Sequence, residues 1–133
     1  MLVLGQLKYA SNGYGVEILP PDPNNRGCRI PKDKQAMGRH CFIAGDNRNN
    51  EQPHLTSAHT IWVRWHNYIA RELRSINPHW TDEIIFQETR QIVAAANQKI
   101  IYSEFLPIIL GPIAMRSFGL KLLGSGYFHV RQN

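Results

Sequence analysis

Acidic residues are scarce in this sequence of 133 residues: ten against fifteen lysines and arginines, a formal net charge of +5. Such a balance suits a polyanion binder only when the charge lines one face. Here it is local. Arg26, Arg29, Lys32, Lys34 and Arg39, opposed by Asp33 alone, place four of the five net charges in one Pro- and Gly-containing loop, and nothing similar decorates a helix. A solvated basic loop is the expected reading, and no nucleic-acid partner is expected. Long apolar runs are also missing. The longest, Phe105 to Leu110, falls far short of the roughly 20 residues a membrane span requires, so no span and a soluble protein are expected. Met1-Leu2-Val3-Leu4-Gly5-Gln6 has no basic start and too short an apolar run for a secretory signal; either the protein stays inside the cell or its true N-terminus is missing. Internal repeats, low-complexity tracts and alternating strand patterns are absent as well.

Cysteine is limited to Cys28 and Cys41, which bracket the basic loop. In an oxidising compartment they could close it, for roughly 3 kcal/mol of chain entropy. In a reducing one they would be free thiols. Two cysteines alone do not decide, and zinc needs more ligands at shorter spacing.

What is present is enough for a core: 43% hydrophobic residues and 10% aromatics. Residues 1–50 hold most of the turn formers, including Asn12-Gly13, Pro20-Pro21-Asp22-Pro23 and Pro31, so this third reads as loop. From Pro53 the period becomes helical. Leu55, Ala58, Trp62, Trp65, Ile69, Leu73 and Ile76 predict one apolar stripe on a helix over 53–77, with Arg71, Glu72 and Arg74 turned away. Pro53 suits its first turn and Asn77-Pro78 stops it. Thr81-Asp82-Glu83 predicts a capped start for a second long helix over 81–101, with Ile85, Thr89, Ile92, Ala96 and Ile100 as its stripe and Ala94 to Ala96 open to close helix approach. The two helices should pack as a hairpin. Pro107 and Gly111-Pro112 are expected to end the helical region, and Ile113 to Leu123 reads as one more short helix within an otherwise irregular 103–133 tail.

Chemistry-bearing residues concentrate in Cys41-Phe42-Ile43-Ala44-Gly45-Asp46-Asn47-Arg48-Asn49-Asn50-Glu51-Gln52-Pro53, just before the first long helix. On its own, the pair Arg48 and Glu51, three apart, reads as a weak surface ion pair at a helix start. The stretch from Phe42 to Gln52, however, resembles the signature of the animal haem peroxidases. The resemblance continues through His59-Thr60-Ile61-Trp62-Val63-Arg64-Trp65-His66-Asn67, Asn77-Pro78-His79-Trp80, Gln87 to Val93 and Tyr102 to Gly111. Gly5-Gln6-Leu7-Lys8, Ile18-Leu19-Pro20, Cys28 and Cys41 are similar to the family's approach to this region. It covers about residues 5–128, and so many ordered motifs do not arise by chance.

The resemblance implies a mainly α, helical fragment of the peroxidase fold. It places Arg48 on the catalytic arginine, whose rigid fork of donors suits the negative charge developing on peroxide. It places Glu51 on the glutamate that forms an ester with a haem methyl group in many members. Gln52 stands where one member carries a methionine link, so that link is not implied. The implied cofactor is haem, the implied partners are hydrogen peroxide and a small donor, and the implied setting is extracellular or secretory, where Cys28 and Cys41 are expected as a disulfide.

Departures matter too. Trp65 stands where the family usually has a glutamate, which removes a candidate partner for Arg64. His59 and His66 share a helix face but lie two turns apart, too far to chelate one metal; both read as packed, hydrogen-bonded histidines. His129 lacks the motif of the iron ligand. The family's distal histidine, its haem-linking aspartate and its calcium site correspond to positions upstream, the proximal histidine to positions downstream, and no metal ligand is assigned here. The expected function is a segment of a haem-dependent peroxidase, inactive as an isolated chain. A non-catalytic peroxidase-like binding module comes second and a polyanion-binding domain third.

Overall fold

Turn formers crowd the first fifty residues, and they leave room only for two-residue strands between them. In the computed structural model, which describes residues 4–25 and 28–124, β1 (Ala10–Ser11) pairs antiparallel with β2 (Glu17–Ile18). The Asn12 side chain closes their turn by accepting from the N–H groups of Tyr14 and Val16 at 3.0 and 2.9 Å. A second antiparallel pair joins β3 (Pro21–Asp22) to β4 (Cys41–Phe42), with Pro21 opposite Phe42 and Asp22 opposite Cys41. Between them, the expected loop contains a short helix, α1 (Lys32–Ala36). Pro31 supplies a preset backbone angle just ahead of it, and Gly38, at φ +80°, turns the chain away after it. Lys32 and Lys34 of the basic loop therefore sit on a helix, contrary to the loop reading; Arg26 of that loop lies outside the described residues.

A turn of 3-10 helix (Asn47–Asn50) leads into α2 (Pro53–Ile76), which carries Pro53 in its first turn and ends where the Asn77 N–H reaches the Leu73 carbonyl at 2.9 Å. Its buried face is not the full stripe expected. His66, Asn67, Ile69 and Ala70 are buried, whereas Trp65 is 41% and Ile76 73% exposed. The reason is what packs there. Asn67 accepts from the Leu7 N–H at 2.8 Å and donates to the Leu7 carbonyl at 3.1 Å, standing in for a strand partner. Arg64 Nε donates to the Glu17 carbonyl at 2.6 Å and Arg71 pairs with the Glu17 carboxylate at 2.8 Å. The N-terminal segment thus docks on polar residues that an apolar-period reading assigns to solvent. Trp65 instead stacks on Tyr68 at the surface, ring centroids 5.9 Å apart.

Helix α3 (Asp82–Ile100) begins at Thr81, whose hydroxyl accepts from the Ile84 N–H at 3.3 Å. Arg74 reaches back from α2 to the Trp80 carbonyl at 2.8 Å and to Asp82 at 3.4 Å, and the His66 and Phe86 rings meet at 5.5 Å. Ile85 and Thr89 are fully buried. Gly5, at φ +69°, lies so close to α3 that a Cβ there would overlap Ile85 and come within 2.9 Å of the Phe86 backbone nitrogen. Leu19, Cys41, Ile69, Ala70 and Ile85 supply the apolar core of the first of two compact units, Met1–Gln91.

The second unit, Ile92–Asn133, corrects three expectations. Helix does not stop at Pro107: a π-helical turn (Ile101–Phe105) runs directly into α4 (Leu106–Ser117). Pro107 falls in the first turn of α4, where its missing N–H costs nothing, and the real break is Gly111, at φ 74° and ψ 169°, with Pro112 restarting the helix. The expected stripe is also only partly covered, because Ile92 and Ile100 remain exposed while Met115 is buried. Finally, the helical stretch Asp82–Ser117, 36 residues, is by length and composition apolar enough to cross a membrane. Counting unbroken apolar runs missed it, because Lys99, Ser103 and Glu104 interrupt the run without lowering its average enough. Gly126 to His129, including the histidine set aside above, lies outside the described residues.

Candidate active site

The Asp46–Glu51 turn is built from side-chain amides. Leaving β4, the chain reaches Asp46, whose carboxylate accepts from the Arg48 N–H at 2.9 Å and starts the 3-10 turn. Asn50 then takes both backbone groups of Phe42, accepting from its N–H at 2.9 Å and donating to its carbonyl at 2.7 Å. Buried Asn49 adds a second bond to that carbonyl at 3.0 Å, and the Thr56 hydroxyl donates to the Asn49 carbonyl at 2.6 Å. One end of the turn is fastened to a strand and the other to the first turn of α2. Positions 48 and 51 are therefore held by a scaffold rather than carried on a free loop.

Arg48 does not pair with Glu51, as the bare spacing suggests. Its guanidinium grips Asp46 with Nε at 3.1 and 3.2 Å from the two carboxylate oxygens and Nη2 at 2.7 Å. This hydrogen-bonded fork holds the Asp46 carboxyl down at about 2 and raises the Arg48 pKa further, so both stay charged at any working pH. The Arg48 side chain is 74% exposed. Being open to water, the pair positions the guanidinium more than it stabilises the fold.

Glu51 closes the turn through its backbone, its N–H reaching the Arg48 carbonyl at 2.9 Å. Its carboxylate is exposed and accepts no hydrogen bond among the described residues. It borders a cavity of about 640 Å³ that is also walled by the Cys28–Cys41 disulfide, the basic loop and the start of α2; Arg48 is not part of that wall. The cysteine Cα atoms stand 6.1 Å apart, within the ordinary range for a disulfide. Both expected site residues thus lie on one turn, but only Glu51 opens on the cavity.

His66 corrects a further expectation. It is packed, yet neither ring nitrogen has a hydrogen bond of good geometry among the described residues, and the adjacent Asn67 amide is bonded to Leu7. Burial lowers its pKa, so it is a neutral packing group. Among the described residues no three His, Cys, Asp or Glu side chains gather as a metal cluster. Arg64, deprived of an acidic neighbour by Trp65, finds the Glu17 carbonyl instead. Sequence reasoning overlooked Asp46, Asn49 and Asn50. The signal was there, since four Asx residues in five positions are frequent turn and cap formers.

Comparisons with known proteins agree on one family. The model of the animal haem peroxidase family matches residues 2–133. Human myeloperoxidase is 49% identical over 117 residues, covering 84% of this chain and 14% of that protein. The human peroxidasin homolog is 56% identical over 79 residues, 59% of this chain and 5% of that one. Among solved structures, peroxidase A from Dictyostelium discoideum superposes with a TM-score of 0.66 at 33% identity, over 80% of this chain and 20% of its own. The chain therefore spans a small part of the length of each of these relatives.

Proposed function

Because the chain belongs to the animal haem peroxidase family, we propose that it is a segment of a haem-dependent enzyme that uses hydrogen peroxide to oxidise a halide or an organic donor, and that the 133 residues alone are inactive. The observation that carries this reading is the clamped turn that presents a fixed guanidinium and, three residues on, a carboxylate with no hydrogen bond among the described residues beside a large cavity. These residues fit the family's cofactor in part. Glu51 has the exposed, unengaged carboxylate that an ester to the haem rim requires. When bound, haem would supply the iron that breaks the peroxide O–O bond.

The protein's own contribution is at Arg48. Asp46 occupies Nε and Nη2, leaving Nη1 with no partner among the described residues, and offsets much of the net charge. Stabilisation of a deprotonating peroxide would then come from directed Nη1 hydrogen bonds rather than from bulk positive charge. The proton itself needs a base, and nothing in the turn can return it to the leaving oxygen. A secretory or extracellular setting goes with the disulfide. No membrane span is proposed for Asp82–Ser117, since Lys99 and Glu104 lie inside it and Gly111 breaks it.

One observation favours the second reading, a non-catalytic peroxidase-like module: Arg48 is engaged by Asp46 and does not line the cavity that Glu51 borders. A single substitution in the complete protein tests the role given to Glu51. Under the enzymatic reading, Glu51→Gln keeps haem bound but makes it extractable by acidified organic solvent, because an amide cannot form the ester. Haem release identical to wild type rejects the ester, whereas absence of either of the family's histidines from the complete protein would make the binding module the better account.

A further inference from the structure

The basic loop leaves three features around the cavity that the peroxidase reading does not use. Arg29 and Arg39 border it, and neither guanidinium has an ion-pair or hydrogen-bond partner among the described residues. Lys34, also on the wall, is held only loosely, 3.9 Å from Asp33. His40 is the third. Its Nδ1 lies 3.0 Å from the Gly38 carbonyl, which can only accept, so Nδ1 donates there, and Nε2 is buried with no partner among the described residues. Phe42, whose ring packs edge-on against His40 at 5.0 Å, adds an apolar surface to the same cavity.

We propose that this cavity binds a small amphipathic organic anion: a carboxylate held by the forks of Arg29 and Arg39, and an aromatic or aliphatic body lying on Phe42. The volume of about 640 Å³ falls in the range of sites for such molecules. Two unpaired guanidiniums favour a planar carboxylate over a spherical anion, because the fork bonds it bidentately. Glu51 on the same wall repels the ligand, so it disfavours a multiply charged anion. The disulfide bears on the site directly, since Cys28 and Cys41 flank Arg29 and His40 in sequence and border the cavity themselves. Because it concerns the chain without haem, the inference goes beyond the peroxidase reading and stands or falls separately from it.

The test is calorimetric titration of the oxidised chain, free of haem, with 4-hydroxyphenylacetate and with 4-ethylphenol, its neutral counterpart. Saturable one-to-one binding is expected, with the neutral compound weaker by at least about tenfold, the difference made by one charge-assisted carboxylate contact. Replacing both Arg29 and Arg39 by alanine should remove that preference while leaving the weak neutral binding, and Glu51→Gln should tighten the carboxylate. Equal affinities for the two compounds, no saturation with either, or an undiminished preference in the double variant would each overturn the proposal. The comparison of two ligands on the unaltered chain needs no variant to fold. Far-ultraviolet circular dichroism checks those that are made.

Discussion

Alanine at position 5 should cost far more than alanine at position 15, although both glycines have positive φ, +69° and +75°. The left-handed conformation alone costs an ordinary residue about 1–2 kcal/mol. At Gly15 nothing lies within 4 Å of a new Cβ, so the cost ends there. At Gly5 the new atom would overlap Ile85, which is fully buried, and approach the Phe86 backbone nitrogen to 2.9 Å. Neither can swing aside as a long side chain would. Forcing packed atoms apart adds about 1–3 kcal/mol, so Gly5→Ala should cost about 2–5 kcal/mol in total. The loss will appear where the segment is anchored. The Leu7 N–H, bonded to Asn67 at 2.8 Å, is a direct reporter by amide hydrogen exchange. Gly5→Ala should speed its exchange by about thirtyfold or more, the equivalent of at least about 2 kcal/mol, and Gly15→Ala by less, within the about five- to thirtyfold that about 1–2 kcal/mol allows. Equal effects at the two positions, or a threefold effect at Gly5, would show that the contact with α3 does not hold the N-terminal segment.

Three further outcomes follow from the site. Unreduced peptide mapping of material made in an oxidising compartment should recover Cys28 and Cys41 as one joined species, and two free thiols would reject the closed loop. The Asp46 carboxyl should titrate near 2 by NMR. Its pKa is lowered by folding, so the contribution of its bonds to Arg48 is present above the ordinary carboxylate range and is lost as pH falls through about 2; in Arg48→Ala the midpoint should rise but stop short of the ordinary value, because the backbone N–H of residue 48 still donates, and a midpoint unmoved would assign the shift to something else. In the complete protein, Arg48→Lys should slow reaction with peroxide by more than about tenfold in stopped flow, with haem content little changed, since an ammonium lacks the fork that Asp46 orients. A rate close to wild type would remove Arg48 from the chemistry.

Helices were legible where a side chain's local duty and its period agree. Pro53 at a first turn, Asn77-Pro78 at a stop and Thr81 as a cap mark α2 and α3 in the sequence, and the mainly α class follows from them. Period failed where polar side chains replace apolar packing: Asn67 is buried because it pairs with a backbone sixty residues away, a partner no window along the chain contains. Pro107 misled for a related reason, since the same residue ends a helix in its interior and suits one in its first turn. In the candidate site, motif resemblance singled out Arg48 and Glu51 for the roles proposed. It did not give the contact between Arg48 and Asp46, because a signature fixes positions in a chain but not the direction of a guanidinium.

The anchoring of the N-terminal segment on α2 also sets an order of events during synthesis. Leu7 and Glu17 leave the ribosome first, yet their partners Asn67, Arg64 and Arg71 follow 47 to 60 residues later. At about 5–20 residues per second that is a wait on the order of 3–12 seconds, whereas a helix such as α2 forms within about a microsecond of becoming free. For that interval the short β1–β2 hairpin lacks its resting place on α2, and two strands alone are marginal in water. Docking of the first twenty residues is therefore timed by the appearance of a helix that begins at residue 53, and a pause in translation just after Arg71 would give it room to finish.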